Sequence, residues 1–224
     1  MVKRRQRRLM ALSTGLLTIA LLGAPATLRQ FAAEPLPMRL TDREFWKLSA
    51  DASEPGAPFH SENLVSNELR FQTIVPALAK AAVPGRAYIG VGSEQNFTYI
   101  VATRPSIAFI IDIRRGNLDL HLIYKALFEM SANRVEFVSR VFSRQRPAGL
   151  AATSTAAEIF AAYRKAAPSQ TLYNQNLKEI KSLLQTKHAF PLSAADLEAI
   201  NFVYDNWFRQ GPDIRYELKG GGGG

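Results

Sequence analysis

Two glycines and a carboxylate carry the clearest chemical signal in the sequence. Gly90 and Gly92 follow a short apolar run, and Asp112 stands directly after a second apolar run at 107–111. In open parallel sheets, a glycine turn lets a ligand approach the backbone, the next helix offers free N–H groups, and an acid about twenty residues on accepts ribose hydroxyls. This order predicts a nucleoside site at the carboxyl ends of two strands.

Three further residues near this motif complete the set of candidate cofactor-binding residues. Glu94 and Asn96 lie where the predicted helix begins, and the helix dipole keeps Glu94 ionised. Glu94 therefore suits the binding of a cationic or hydroxylated ligand better than general acid catalysis. Arg114 follows the second apolar run, where an arginine either meets a phosphate or carboxylate or lies on a solvated edge.

The loop before the first strand supplies candidates for substrate binding. Asn63, Asn67 and Glu68 carry short amide and carboxylate groups that can recognise hydroxyls and amines, and loops of this kind often cover a cleft. The same residue types also favour helix caps and turns. Both interpretations of these three residues stay open.

The glycine pattern also has a purely structural interpretation. The third glycine of the dinucleotide fingerprint G-x-G-x-x-G is absent, because Gln95 stands in its place. Two glycines then serve only the conformation of a tight turn between a strand and a helix.

No catalytic residue is assigned from sequence. The histidines, His60, His121 and His188, are far apart with no carboxylate or second histidine at ligand spacing, so no metal site is expected. His121 is expected to be a packed or surface-tilted residue. The chain has no cysteine, which excludes disulfides and thiolate metal sites, and it contains no G-x-S-x-G, P-loop or H-E-x-x-H motif.

Apolar runs and turn signals predict the elements that would position this site. We expect a strand over 87–89, a turn at 90–92, a helix over 96–103 ended by Pro105, and a second buried strand over 107–111. Apolar stripes and capping boxes then predict helices through 116–209, starting with one over 116–130. The predicted fold class is α/β: a Rossmann-like parallel sheet core, incomplete with two clear strands, followed by a mainly α-helical region.

The segment before the first strand has its own signals. Thr41 and Glu44 form a capping box for a short helix, and residues 53–68 are polar and turn-rich, which predicts a loop. Asn67 is expected to cap a helix running towards Ala82, with Pro76 either kinking or dividing it.

The N-terminal residues have the order of a secretory signal peptide. The sequence KRRQRR precedes an uncharged apolar run and a small-residue site at 24–26, so we assign 1–33 to a signal peptide or N-terminal membrane anchor. The domain would then be periplasmic, extracellular or held on the inner membrane by that segment. Translation starting at Met38 would leave it cytoplasmic.

Charge gives little support to nucleic-acid binding. The net charge of +9 includes five basic residues in the first eight positions, and the other lysines and arginines are scattered without an aromatic-interleaved stripe. We therefore expect a small-molecule ligand, no nucleic acid, and membrane contact only through the N-terminal segment. The oligomeric state stays unassigned.

The C-terminal glycine run completes the predicted organisation. Residues 39–217 form the predicted α/β domain, and the glycine-rich tail at 218–224 is the expected point of truncation, since two strands hardly make a doubly wound sheet. We expect either further strands beyond it or a partly exposed sheet.

Three long motifs carry a resemblance to a known family. The segments EFWKLSADASEPGAPFHSENLVSNE, YIGVGSEQNFTYIVA and FIIDIRRGNLDLHLIYKALFE resemble a bacterial family of uncharacterised proteins whose fold is similar to class I S-adenosylmethionine-dependent methyltransferases. The resemblance covers about 40–216. It implies that Gly90 and Gly92 lie in the methyltransferase glycine loop and that Asp112 holds the ribose hydroxyls. Members of that family continue past a glycine-rich segment with more strands.

Three functions follow as alternatives. The first is a methyltransferase-like protein that binds S-adenosylmethionine and promotes transfer by proximity and orientation, without a metal. The second is an exported, non-catalytic protein that binds a small ligand in the same cleft, which export favours because the methyl donor is made in the cytosol. The third is an NAD(P) oxidoreductase, which the missing third glycine and the short helix disfavour.

Overall fold

The computed structural model describes residues 39–54, 64–68 and 70–216. Within these ranges the chain forms eight α-helices and two β-strands, so the predicted fold class, a two-stranded parallel sheet followed by a mainly helical region, is confirmed. The predictions for the N-terminal segment and the glycine-rich tail lie outside the described residues. The elements in chain order are α1 Asp42–Asp51, α2 Val75–Ala81, β1 Ala87–Val91, α3 Gln95–Thr103, β2 Ile107–Ile111, α4 Arg115–Met130, α5 Arg134–Phe142, α6 Ala156–Lys165, α7 Gln170–Ser182 and α8 Ala194–Gln210.

The two strands pair in parallel, with Ala87 opposite Ile107 and Val91 opposite Ile111. This register brings the carboxyl ends of both strands together at one edge. The bounds predicted for β2 are correct, but β1 runs two residues further than predicted. Gly90 therefore belongs to the strand rather than to the turn, which begins at Gly92.

One face of this small sheet is open. Ile89 is 69% exposed, and Val91 and Ile111 are also mostly exposed. The strands are therefore less buried than predicted, because two strands and the helices around them cover only part of the apolar surface. The sheet is partly exposed, which was one of the two expected outcomes.

The hydrophobic core lies in the helical region. Helix α4 is its centre: Leu120, Ile123 and Leu127 are fully buried and pack in the same cluster as Ile200 and Trp207 of α8. The stripe predicted for 116–130 consists of Leu118, Leu122, Ala126 and Met130; Leu122 and Ala126 are buried in this core, and the other two are partly buried against it. Among the described residues, no helix is both long and apolar enough to cross a bilayer.

Helix starts follow the predicted caps in most cases. The capping boxes at Thr41, Thr155 and Ser193 all form, each with the acid three residues later. The prediction that Asn67 caps a helix is wrong. A proline in mid-helix clashes with the carbonyl four residues earlier, so α2 starts at Val75 with Pro76 in its first turn.

A partly buried ionic cluster fixes the start of α4, just after β2, against α8. Arg115 lies 3.0 Å from the Asp196 carboxylate, measured from Nε to Oδ1, and its guanidinium stacks over Trp46. Asp119 lies one turn along α4 and is 1% exposed. Burial and the charge of Asp196 raise the pKa of Asp119 to about 7.

Candidate functional site

Side chains from two helices hold the turn between β1 and α3. The Asn96 amide donates to the carbonyls of Val91 (3.0 Å) and Ser93 (2.8 Å). His121 of α4 donates through Nε2 to the carbonyl of Gly92 (2.9 Å). Gly92 has φ +87°, a conformation that glycine adopts without strain. The carbonyls of this turn are therefore occupied by the protein itself.

Gly90 is required by close packing rather than by its own dihedral angles. The Tyr88 hydroxyl donates to Asn96 Oδ1 at 2.7 Å, directly over the Gly90 backbone. A Cβ at Gly90 would lie 1.9 Å from that oxygen and 2.5 Å from the Tyr88 hydroxyl. Gly90 and the buried Asn96 thus support the turn and do not line the cavity beside it, and their predicted contact with a cofactor stays a prediction.

Three backbone N–H groups at the start of α3 have no hydrogen-bond acceptor among the described residues. No group in the described part of the chain accepts a hydrogen bond from the N–H of Ser93, Glu94 or Gln95. These amides lie at the N-terminus of α3, where the helix dipole favours an electronegative atom. The Gln95 side chain, in the place of the third glycine, donates to the Val91 carbonyl (2.9 Å).

Asp112 lies beside this turn. The N–H of Gly92 donates to the carbonyl of Ile111 at 3.1 Å, so the residue after β2 adjoins the residue after β1. Asp112 Oδ1 accepts from the Arg114 N–H at 2.9 Å, and Arg114 Nε lies 3.4 Å from the same oxygen. Asp112 Oδ2 accepts no hydrogen bond from the residues described, although the side chain is only 8% exposed. One carboxylate oxygen is thus held and the other is available.

The loop 64–68 is held over α3 by two long-range contacts. The Ser66 N–H donates to both carboxylate oxygens of Glu94, each at 3.0 Å. The Tyr99 hydroxyl donates to Glu68 Oε2 at 2.6 Å, and burial together with this carboxylate raises the pKa of Tyr99 to about 12. Glu94 therefore holds the loop, and it also lines the larger, apolar cavity on the other side of this loop segment.

A polar cavity of about 330 Å³ lies between this loop and the carboxyl ends of the strands. It brings together four of the predicted site residues: Gly92, Asp112, Asn67 and Glu68. Gly90, Glu94, Asn96 and Arg114 are not among its lining residues, and Asn63 and His60 lie outside the described residues. This cavity, which we call the turn cavity, is lined by residues 65–68, 91–93, 95, 112 and 113.

A larger, apolar cavity adjoins the turn cavity. Its volume is about 760 Å³, and the two cavities share Val65, Ser66 and Asn67 as a common wall. We call it the aromatic cavity, since its lining includes four phenylalanines and a tyrosine from α3, α4 and α5: Phe97, Tyr124, Phe128, Phe137 and Phe142. The sequence analysis interprets the apolar stripes of these helices as core and misses this cavity. The only sequence feature that indicates it is the aromatic content of the helices.

The two described histidines, His121 and His188, are each held by other groups of the protein. His121 is packed, which is one of the two outcomes expected for it, and burial lowers its pKa. His188 is buried, with Asp42 and Glu129 at 2.9 and 3.0 Å from its two ring nitrogens, although neither acid is near it in sequence. No three His, Cys, Asp or Glu side chains converge as a metal site within the described ranges.

The comparisons with known proteins give one family. Residues 63–199, more than half of the chain, match the model described as Domain of unknown function (DUF7790). No curated protein and no solved structure gives a significant match to this sequence. The matched range includes the turn cavity residues and most of the aromatic cavity. The chain therefore belongs to the DUF7790 family.

Proposed function

We propose that this protein binds a nucleoside in the turn cavity, that the nucleoside is S-adenosylmethionine, and that the protein transfers its methyl group to an acceptor. The observation that supports this most strongly is the Asp112 oxygen that accepts no hydrogen bond from the described residues and lies beside the glycine turn in one cavity. A carboxylate at the end of the second strand is the group that accepts ribose hydroxyls in nucleotide-binding α/β proteins. The resemblance of the three sequence motifs points to the same ligand.

The residues present fit a nucleoside of this kind. Asp112 Oδ2 would accept from the ribose hydroxyls, and the unpaired N–H groups of Ser93 and Gln95, which line the cavity, would donate to an electronegative ligand atom. A volume of about 330 Å³ is at the lower end of the range, about 300–1,000 Å³, that small-ligand pockets occupy. Bound there, S-adenosylmethionine would supply an electrophilic methyl group. The protein would contribute position and exclusion of water.

Calorimetry with S-adenosylmethionine and S-adenosylhomocysteine tests this function. The Asp112→Asn variant keeps an acceptor for the Arg114 N–H but presents a donor in place of Oδ2. We expect it to weaken binding by about 1.5–3 kcal/mol, the usual value of a charge-assisted hydrogen bond. Asp51→Asn, which changes an exposed carboxylate on α1, is the matched control and should bind as the wild type does. Absence of heat from either compound with folded wild-type protein would refute the proposal.

A second candidate is non-catalytic binding of another small polar ligand in the same cavity. One observation favours it: Glu68 and Asp112, which both line this cavity, each accept hydrogen bonds from the protein, so these carboxylates are arranged as fixed binding groups. Methyl transfer to an acceptor that must lose a proton would need a freer base. Binding of S-adenosylhomocysteine without turnover of any acceptor, or binding of adenosine alone with equal affinity, would favour this second function.

A further inference from the structure

The aromatic cavity contains an exception among the buried tyrosines. The hydroxyl of Tyr163 donates to the Val135 carbonyl (2.9 Å), and that of Tyr204 donates to the Arg140 carbonyl (2.6 Å). Tyr124 is only 7% exposed, yet none of the described residues hydrogen-bonds its hydroxyl. The hydroxyl of a largely buried tyrosine usually pairs within the protein, whereas this one keeps some accessible surface instead, which calls for an explanation.

The position of Tyr124 supplies that explanation. Tyr124 lines the aromatic cavity together with Glu94, and the Glu94 charge adds to burial in raising its pKa. A ligand in the cavity that carries a hydroxyl or a similar group would give the Tyr124 hydroxyl its missing partner. The rest of the lining is mainly carbon, but it also includes the polar side chains of Ser66, Asn67, Glu94, Arg215 and Tyr216.

The ring geometry favours a flat ligand. Phe128 and Phe137 stack with centroids 4.7 Å apart and planes 11° apart. Phe97 stands edge-on to Phe128 at 85° and to Tyr124 at 87°. Phe128 is also half exposed, so its ring is available at the cavity wall. A further planar ring can continue this alternation of stacked and edge-on contacts, which aromatic rings prefer.

We propose that the aromatic cavity binds a small planar aromatic molecule that carries one hydrogen-bonding group, with the Tyr124 hydroxyl as its partner. This site goes beyond the proposed nucleoside function and does not depend on it, because the two cavities share only the wall at 65–67. A volume of about 760 Å³ accommodates a molecule of two or three rings.

Two matched probes test the proposal. 2-Naphthol has two fused rings and a hydroxyl, and naphthalene has the same rings without it. By equilibrium dialysis, wild-type protein should bind 2-naphthol at one saturable site and naphthalene about 2–10-fold more weakly, the effect of one hydrogen bond. The Tyr124→Phe variant keeps the ring and loses no existing bond among the described residues. It should bind both probes equally, at the affinity of naphthalene.

Two controls make the result specific to the cavity. Tyr173→Phe removes a hydroxyl on α7 outside the cavity and should keep the wild-type preference. Val138→Phe adds volume to the cavity wall and should abolish binding of both probes while leaving binding of S-adenosylhomocysteine in the turn cavity unchanged. Loss of probe binding with retention of S-adenosylhomocysteine binding would separate this site from the proposed function.

Three results would overturn the proposal. The first is no binding of 2-naphthol to folded wild-type protein. The second is an unchanged preference for 2-naphthol in Tyr124→Phe, which would remove the hydroxyl from the site. The third is tighter binding of 1-dodecanol than of 2-naphthol, which would make the cavity a site for an alkyl chain.

Discussion

Replacing Gly90 by alanine should disrupt the turn that frames the turn cavity. The new Cβ would lie 1.9 Å from Asn96 Oδ1 and 2.5 Å from the Tyr88 hydroxyl. Tyr88 is half-buried and can swing outwards, but Asn96 is 1% exposed and has no room to move. The three hydrogen bonds of the Asn96 side chain, to Tyr88, Val91 and Ser93, are therefore at risk.

The size of the effect follows from these bonds. Each contributes about 1 kcal/mol, so losing two or three costs about 2–3 kcal/mol. Alanine has less chain entropy to lose than glycine, which offsets about 0.5–1 kcal/mol. The net loss in the free energy of unfolding should be about 1–3 kcal/mol, measured by urea unfolding.

A double-mutant cycle isolates the cause. In an Asn96→Ala background only the clash with Tyr88 remains, and the Tyr88 side chain can swing outwards, so the further cost of Gly90→Ala should fall below about 0.5 kcal/mol. Gly116→Ala is the matched control, because a Cβ at this position of α4 meets nothing within 4 Å. It should be neutral or stabilising by up to about 1 kcal/mol. A Gly90→Ala protein as stable as the wild type, or an equal cost in both backgrounds, would refute the reasoning.

Two other predictions concern the surroundings of the site. The pKa of Asp119 is raised to about 7 from its usual 3.8, so its contribution to stability is present below pH 4 and is lost as the pH rises through 7. Asp119→Asn should therefore show a smaller fall in urea midpoint between pH 4 and pH 8 than the wild type, and equal falls would contradict this assignment. Glu94→Ala removes both acceptors of the Ser66 N–H, so hydrogen exchange at Ser66 should accelerate at least several-fold, whereas the exposed control Glu198→Ala should leave it unchanged.

Local patterns in the sequence predicted the elements that depend on local forces. The capping boxes at Thr41, Thr155 and Ser193 involve residues three apart, and each forms as predicted. The strand over 107–111 has the predicted bounds because a short apolar run between turn residues admits little else. The order of strand, glycine turn, helix and strand also placed Gly92 and Asp112 at adjacent positions.

Contacts between distant residues were beyond the reach of these patterns. The hydrogen bond from Ser66 to Glu94 joins residues 28 apart, and it decides where the loop over the cavity lies. The aromatic cavity combines rings from separate helices, so no periodic pattern marks it. Asn67 carried a cap signal, but Arg70 has φ +66°, a left-handed conformation that prevents a helix from running through it.

The most direct test of the central claim is to locate a bound nucleoside. Titration of ¹⁵N-labelled protein with S-adenosylhomocysteine should shift the backbone amide signals of Gly92, Ser93 and Ile113 saturably, because these residues line the turn cavity. The amide of Gly149, in the turn between α5 and α6, should not move. Saturable shifts confined to other parts of the domain, or none at millimolar ligand, would contradict the assignment of this cavity.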